Sequence, residues 1–371
     1  MFRNYRLKNY NFKLVLNVLV LAAMGLVFIH SADASFVTKQ AMGIVMGLCV
    51  MVAVSLIDFQ VFTRNSELLY VINMALLIGV KLFGKDVNNA KRWFSLGPLG
   101  TFQPSELTKI IMIIVVATFL VKHQYDLNEP KVLGKLALVC APPLYFILSQ
   151  PNLSTTLDIC FIILAMVFVA GLDSKLIVRV LVIGIPLLAI FIWYVQTPNQ
   201  ILLRPHQVAR IMSFLHPEDF ADSTALQTSN SVMAIGSGGL FGKGFGSNTI
   251  SDVSASDVNL VSEQQTDFIF SVVGEEFGFF GCLIVIAVLL ILVFQCVQVA
   301  RKADNQIGCY VAVGIASYMG FQSFINIGVA TGTLPNTGLP LPFISYGLSS
   351  LLSASIGIGL LLNIYLQRKR Y

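Results

Sequence analysis

Apolar residues are gathered in ten long runs along the chain, and short polar segments separate them. Most runs are long enough to cross a hydrocarbon core of about 30 Å as a helix. The predicted spans cover roughly residues 14–30, 38–57, 68–83, 104–121, 136–150, 155–171, 177–195, 268–299, 307–330 and 344–366. This pattern predicts an all-α integral membrane protein, a polytopic bundle of about ten transmembrane helices that forms one domain over residues 1–371.

Composition supports a membrane protein and excludes several other classes. Hydrophobic residues make up 56% and charged residues 12% of the 371 residues, whereas a soluble domain has about 25% charged residues. The net charge of +5 does not indicate nucleic acid, because no basic stripe is interleaved with aromatic residues. Membrane lipid is the expected surrounding. The six cysteines lie in apolar runs and form no CxxC pair, which favours small core residues over disulfides or metal ligands.

The distribution of basic residues predicts that both termini are cytoplasmic. With the amino terminus inside, fifteen of the 24 basic residues fall on the inner side and eight on the outer side, and cytoplasmic segments normally carry the excess. The inner connections are short, which excludes a cytoplasmic nucleotide-binding domain. Two segments then lie outside: residues 84–103, and a large extracellular loop of about residues 196–266. Connections this long are usually functional.

Carboxylates near the start of the eighth span are candidates for chemistry. Asp267 directly precedes this apolar run. It is either a helix cap, or a partly desolvated carboxylate at the outer rim of a cavity that acts as a general base. Glu275 and Glu276 follow two turns later, and they either structure the site or bind substrate or a divalent cation.

Four further residues near the outer face carry charge or an aromatic ring. Glu106 and Lys109 are three residues apart and therefore neighbours on one helix face. They either neutralise each other or bind substrate. Arg92 and Trp93 lie just outside the third span: the Trp is typical of a membrane interface, and the Arg either shares that role or clamps a phosphate.

The large outer loop contains two further candidate regions. Arg204 and Arg210 lie on a predicted surface helix, where they either anchor lipid headgroups or form a second anion clamp. The run Gly236–Gly246 includes Lys243, but it lacks the Gly and Ser/Thr positions of a phosphate-binding P-loop. It is either a bare bend or a backbone surface that a lipid-linked sugar or pyrophosphate approaches closely. In the second case Lys243 is a candidate substrate-binding residue.

A Pro/Gly-rich segment and the four histidines are the remaining features of the sequence that bear on function. The segment Pro335–Ser350, PNTGLPLPFISYGLSS, is non-helical in pattern at membrane depth, which is tolerated only where protein or a wet cavity covers it. We therefore expect it to form the wall of a cavity open to the outside. The four histidines form no metal-spaced cluster, and no Ser-His-Asp set is present, so ordinary hydrolase chemistry is disfavoured.

Five long strings along the chain resemble one bacterial family. They are NNAKRWFSLGPLGTFQPSELTK, RIMSFLHPEDF, AIGSGGLFGKGFG, EQQTDFIFSVVGEEFG and LPNTGLPLPFISYG. The family is that of the shape, elongation, division and sporulation proteins, which includes RodA, FtsW and SpoVE. The opening YRLKNYNFKLVLNVLVL and the compact length are more similar to the RodA branch.

The resemblance implies a ten-span peptidoglycan glycosyltransferase that polymerises lipid II on the outer membrane face. Its partner would be a class B penicillin-binding protein, which crosslinks the product. The family's essential aspartate falls on Asp267, its intramembrane pair on Glu106 and Lys109, and its Arg-Trp on Arg92 and Trp93. A lipid II flippase or a non-catalytic scaffold for the transpeptidase are the alternatives.

The chain departs from the family pattern at three positions. Asn152 and Ser154 stand where Asp and Gly are usual, and Leu348 stands where a second Gly is usual. The changes at Asn152 and Ser154 weaken the case for a functional role of the short outer segment that contains them. Leu348 either crowds the cavity wall or is typical of a subgroup of the family.

Overall fold

The computed structural model describes residues 10–87, 90–95, 97, 100–150, 152–197, 200, 208, 211–212, 214–215, 224–247 and 264–367. Arg204 and Arg210 lie outside these residues. Twelve α-helices occur within the described ranges: α1 Phe12–Ala32, α2 Val37–Leu56, α3 Phe59–Arg64, α4 Ser66–Phe83, α5 Pro104–Lys122, α6 Pro130–Ser149, α7 Leu153–Val169, α8 Ser174–Val195, α9 Thr224–Ser237, α10 Ile269–Lys302, α11 Gln306–Ala330 and α12 Leu348–Leu366.

All ten predicted spans coincide with helices, so the polytopic helical fold is confirmed. Eight described helices are long and apolar enough to cross a membrane, and the two remaining spans contain the shorter apolar stretches Leu153–Val169 and Val182–Val195. Helix α6, which corresponds to the fifth predicted span, begins earlier than predicted because Pro130 occupies its first turn, where the missing N–H has no helical partner to lose. The last helix begins later, at Leu348, because the Pro/Gly-rich segment before it is not helical.

A small antiparallel sheet between α4 and α5 was not predicted. Its strands are β1 Lys85–Val87, β2 Ala90–Ser95 and β3 Thr101–Phe102, in the order β1-β2-β3. Two hydrogen bonds tie its end to α12, because the hydroxyl of Ser349 accepts from the Gln103 N–H at 2.8 Å and donates to the Thr101 carbonyl at 3.2 Å. The sheet therefore adds a short β element to a bundle predicted to be all-α.

The central helices of the bundle are α5, α11 and α12, which bury most of their side chains. Helix α2 packs along α12, α10 packs along α11, and α5 contacts α4, α7, α11 and α12. Small residues allow these close approaches, as in membrane bundles generally: a Cβ on Gly314 would lie 2.6 Å from Ile113 of α5. Helix α8 is more peripheral, with Val182, Ile185 and Trp193 each more than half exposed.

Residues 331–347 form a non-helical segment that enters the bundle. The backbone of Phe343 and Ile344 lies directly against Gly25 of α1, where a Cβ would come within 2.9 Å of three of its atoms. The Gln40 side chain of α2 donates to the Ser345 carbonyl at 3.3 Å. Because Gly25 is seven residues before the end of α1, the segment reaches about 10 Å below that helix end at 1.5 Å per residue. Protein covers it at that depth.

Candidate functional site

The candidate residues gather at one end of the bundle, which we call the site end. Four helices begin at this end, namely α5, α7, α10 and α12, and three helices end there, namely α4, α6 and α11. The three-stranded sheet lies at the same end. The helix starts follow from local chemistry: Pro104 opens α5, and Asn152 caps α7 by accepting from the Thr155 N–H at 3.3 Å. The alternation of the chain across the bundle brings these starts together.

Lys109 is the centre of a buried charged cluster. Its ammonium lies 2.9 Å from Glu106 Oε1, as their spacing on one helix face predicted. It also donates to the Gln322 side chain of α11 at 2.6 Å and lies 4.6 Å from the centre of the Tyr318 ring. Lys109 is 0% and Glu106 4% exposed, so the pairing of opposite charges stabilises both groups inside the bundle.

Asp158 of α7 is a member of this cluster that sequence reasoning missed. Its Oδ2 lies 3.5 Å from the Lys109 ammonium, and its side chain is 0% exposed. The signal available in the sequence was a single carboxylate within an apolar span, which is a functional indication by default. Its distance to Lys109 depends on how α7 packs on α5, and periodicity alone does not give that packing.

Two amide side chains on α11 connect the cluster to the non-helical segment and to Asp267. Gln322 donates to the Pro340 carbonyl at 2.7 Å. One turn later, Asn326 donates to the Leu339 carbonyl at 2.7 Å and to the backbone carbonyl of Asp267 at 2.8 Å. Gln322 and Asn326 are both at most 1% exposed. A continuous polar path therefore joins Asp267 to Lys109.

Asp267 lies in a turn just before α10 and is partly buried. The helix begins at Ile269, and its N-cap residue is Phe268, without a side-chain capping bond. Asp267 thus stands one residue before the cap position that the simpler sequence interpretation gave it. The turn is held by the Tyr346 N–H, which donates to the Gln265 carbonyl at 2.8 Å. The position fits a carboxylate presented at the rim of the bundle.

The glycine-rich run packs against a break in α10. Gly278 has φ 64° and interrupts the helix, and the freed backbone groups find partners in the run. The Phe279 N–H donates to the Gly239 carbonyl at 2.9 Å, and the Gly244 N–H donates to the Glu276 carbonyl at 3.0 Å. The close backbone approach anticipated for a ligand is made here to the protein's own helix.

The two glutamates of α10 are buried at this break. Glu275 is 0% and Glu276 1% exposed. Lys243 in the glycine-rich run forms an ion pair with Glu275 Oε1 at 2.8 Å, and the Ser31 hydroxyl of α1 donates to Glu276 Oε1. These contacts give the pair a structural function, and substrate binding by Lys243, Glu275 and Glu276 stays a prediction.

Arg92 anchors the small sheet to the helices. Its Nε–H donates to the Gln150 carbonyl at the end of α6 at 2.8 Å, and its guanidinium lies 5.9 Å from the Trp93 ring centre. The Gln150 side chain in turn donates to the Leu77 carbonyl of α4 at 3.1 Å. The anion clamps proposed for Arg92 and for Arg210, the second of which lies outside the described residues, stay predictions.

The positions that depart from the family pattern have defined contacts. The Ser154 hydroxyl donates to the Thr337 carbonyl of the non-helical segment, and the Asn152 amide donates to the Ser105 hydroxyl at 3.4 Å. Leu348 opens α12 and lies against Gly43 of α2. Within the described part of the chain, no group of three or more His, Cys, Asp or Glu residues is arranged to hold a metal ion.

Known proteins match this chain over nearly its whole length. The family model described as cell cycle protein, covering FtsW, RodA and SpoVE, matches residues 12–370. The peptidoglycan glycosyltransferase MrdB of Escherichia coli (strain K12) is 32% identical over 361 residues, covering 96% of this chain and 92% of MrdB. The probable peptidoglycan glycosyltransferase FtsW of Bacillus subtilis (strain 168) is 30% identical over 379 residues, covering 96% and 91%.

Solved structures give the same result. A chain from a peptidoglycan synthase complex, studied for how it coordinates polymerization and crosslinking, matches with a TM-score of 0.80 and 29% identity, covering 96% of this chain and 97% of that one. The rod shape determining protein RodA of Thermus thermophilus matches with a TM-score of 0.70 and 28% identity, covering 98% of both chains. The chain therefore belongs to the FtsW, RodA and SpoVE family of cell cycle proteins.

Proposed function

We propose that this protein is a peptidoglycan glycosyltransferase that polymerises lipid II into glycan strands. The names of its relatives support the reaction class. The observation that carries the assignment to this site is the path from Asp267 through Asn326 and Gln322 to Lys109. The path fixes the backbone of Asp267, whose side chain is partly buried, relative to the charged cluster, and this supports Asp267 as a preorganised general base for a hydroxyl group.

Asp267 is the general base of the proposed reaction. It accepts the proton of the 4-hydroxyl on the acceptor's terminal N-acetylglucosamine, whose oxygen forms a bond to C1 of the donor's N-acetylmuramic acid. The bond from C1 to the pyrophosphate oxygen breaks, undecaprenyl pyrophosphate leaves, and the anomeric centre inverts. A well-placed base accelerates such a step by about 10²–10⁴-fold, and the rest comes from orienting two lipid-anchored substrates.

The other site residues act on position and charge. Glu106 and Gln322 hold the Lys109 ammonium in position before substrate binds. Arg92, with Trp93 beside it, and Arg210 are the candidates for stabilising the departing pyrophosphate, because guanidinium groups bind phosphate oxygens in pairs. The glutamates of α10 do not fit a divalent cation for this purpose, because the Lys243 ammonium and the Ser31 hydroxyl already hold their carboxylates.

The proposed reaction takes place on the outer face of the cytoplasmic membrane. Basic residues are in excess at the end of the bundle opposite the site end. This excess supports cytoplasmic termini, because cytoplasmic segments normally carry more Lys and Arg. A class B penicillin-binding protein is the proposed partner, and the similar chain from a peptidoglycan synthase complex supports such a pairing. The bundle would supply polymerisation, and the partner would crosslink the strands.

Purified protein supplied with labelled lipid II tests the proposal. Wild type should make glycan polymer, and Asp267→Asn and Asp267→Ala should lose at least about 10²-fold in rate. Asp304→Asn is the matched control, because Asp304 is an exposed aspartate just beyond the opposite end of α10. Normal polymerisation by Asp267→Ala would overturn the catalytic assignment. Transfer of lipid II across liposomes without polymer would favour a flippase, and the absence of both activities would favour a scaffold.

A further inference from the structure

Asp158 makes weaker contacts than its burial requires. The carboxylate is 0% exposed, and among the described residues neither of its oxygens has a hydrogen-bond partner. Its Oδ2 lies 3.5 Å from the Lys109 ammonium, which is longer than a charge-assisted hydrogen bond of about 2.7–2.9 Å. An ionised carboxylate would offer about four acceptor sites, and almost all of them would be unused here.

Lys109 has closer partners on both other sides. Glu106 Oε1 lies 2.9 Å and Gln322 Oε1 2.6 Å from its ammonium. Two of its three donors are therefore committed to α5 and α11, and Asp158 of α7 faces the third at the longest distance. The positive charge of Lys109 is compensated mainly by Glu106.

Counting charges shows the problem that Asp158 creates. If both carboxylates were ionised, Glu106, Lys109 and Asp158 would carry a net charge of −1 with no more than 4% exposure of any member. Burying an uncompensated charge is strongly unfavourable even after relaxation, whereas a neutral carboxylic acid avoids most of that cost. The facing group from α11, Tyr318, is a neutral phenol and supplies no positive charge.

We propose that Asp158 is a proton-binding site within the Lys109 cluster, at which a neutral carboxylic acid is the resting form. Loss of the proton to water leaves a carboxylate that competes with Glu106 for the Lys109 ammonium. Asp158 is thereby a positioning residue: its protonation state decides whether Lys109 is held by its own helix or drawn towards α7. The proton site stands by itself, and the positioning role rests on the proposed glycosyltransferase function.

Infrared spectroscopy of the wild-type protein tests the proton site directly. Protein labelled with ¹³C at aspartate side-chain carboxyls should show, at neutral pH, a protonated-acid C=O band that shifts with the label, because an ionised carboxylate gives no such band. Asp158 is the only fully buried aspartate among the described residues. The band should disappear in Asp158→Asn and persist in Asp126→Asn, whose side chain is 44% exposed. A wild-type spectrum without a label-sensitive band would overturn the proposal.

The pH dependence of glycan synthesis tests the positioning role. Wild type should lose activity as the pH rises through the ionisation of Asp158, since Lys109 then moves from Glu106. Asp158→Asn cannot ionise and should lack this alkaline limb, whereas Asp126→Asn should keep it. An unchanged limb in Asp158→Asn would overturn the positioning role. A labelled band in protein that makes no polymer would instead refute the proposed function and leave the proton site intact.

Discussion

Gly242 lies in the glycine-rich run directly against the backbone of α10. An alanine Cβ there would lie 2.0 Å from the Glu276 carbonyl oxygen and 2.5 Å from the Phe277 nitrogen, and ordinary contacts begin at 3.4 Å. Gly242→Ala therefore requires the backbones to separate by about 1.4 Å. The residue also has φ +79°, a conformation that costs an L-residue about 1–2 kcal/mol.

The expected loss follows from the bonds that this separation breaks. The N–H groups of Lys243 and Gly244 donate to the carbonyls of Glu275 and Glu276 at 2.9 and 3.0 Å, and each bond contributes about 1 kcal/mol. With the conformational cost, Gly242→Ala should lower the free energy of unfolding by about 3–4 kcal/mol.

Gly239→Ala is the matched control. Gly239 also has a left-handed backbone, with φ +56°, but nothing lies within 4 Å of its would-be Cβ. It should cost only the conformational term of about 1–2 kcal/mol. Reversible unfolding in mixed detergent micelles would measure both variants. Equal destabilisation of the two would refute the argument that contact with α10, rather than backbone conformation, makes glycine necessary at position 242.

Two further predictions concern the buried polar groups. Lys243→Met removes the ion pair to the 1% exposed side chain of Glu275 and should lower the free energy of unfolding by about 2 kcal/mol. The double variant with Glu275→Gln should recover much of this loss. Additive losses in the two single variants and the double variant would show that the pair is not coupled. Asn326→Leu removes the two hydrogen bonds that hold the carbonyls of Asp267 and Leu339. The kcat for glycan synthesis should therefore fall at least about ten-fold, with little change in KM. An unchanged kcat in a steady-state assay would contradict this prediction.

Properties that depend on neighbouring residues in the chain were predictable from the sequence. The ten helices follow from the lengths of the apolar runs, and the pairing of Glu106 with Lys109 follows from their helical spacing. The start of α12 was misplaced, because the apolar residues of the segment before it face protein rather than continue a helix. Phe343, for example, is 3% exposed and has φ 62°.

Properties that depend on helix packing were not predictable. Asp158 and Gln322 meet Lys109 from two other helices, and hydropathy does not specify which helices are adjacent. The glycine-rich run shows the same limit, since its sequence indicates only that some backbone approaches closely. The structure identifies that backbone as α10. The general base assignment for Asp267 depends on the family resemblance more than on any local pattern.

The contact of α1 and α2 with the segment 331–347 also has a consequence for biosynthesis. Gly25 and Gln40 contact Ile344 and Ser345, which the ribosome makes much later, and α2 packs along α12. These contacts join parts of the chain about 300 residues apart, and such pairings form late because loop closure must precede them. The candidate site therefore stays incomplete during membrane insertion until α12 has been inserted. A nascent protein halted before that point would have most of its helices but no closed site.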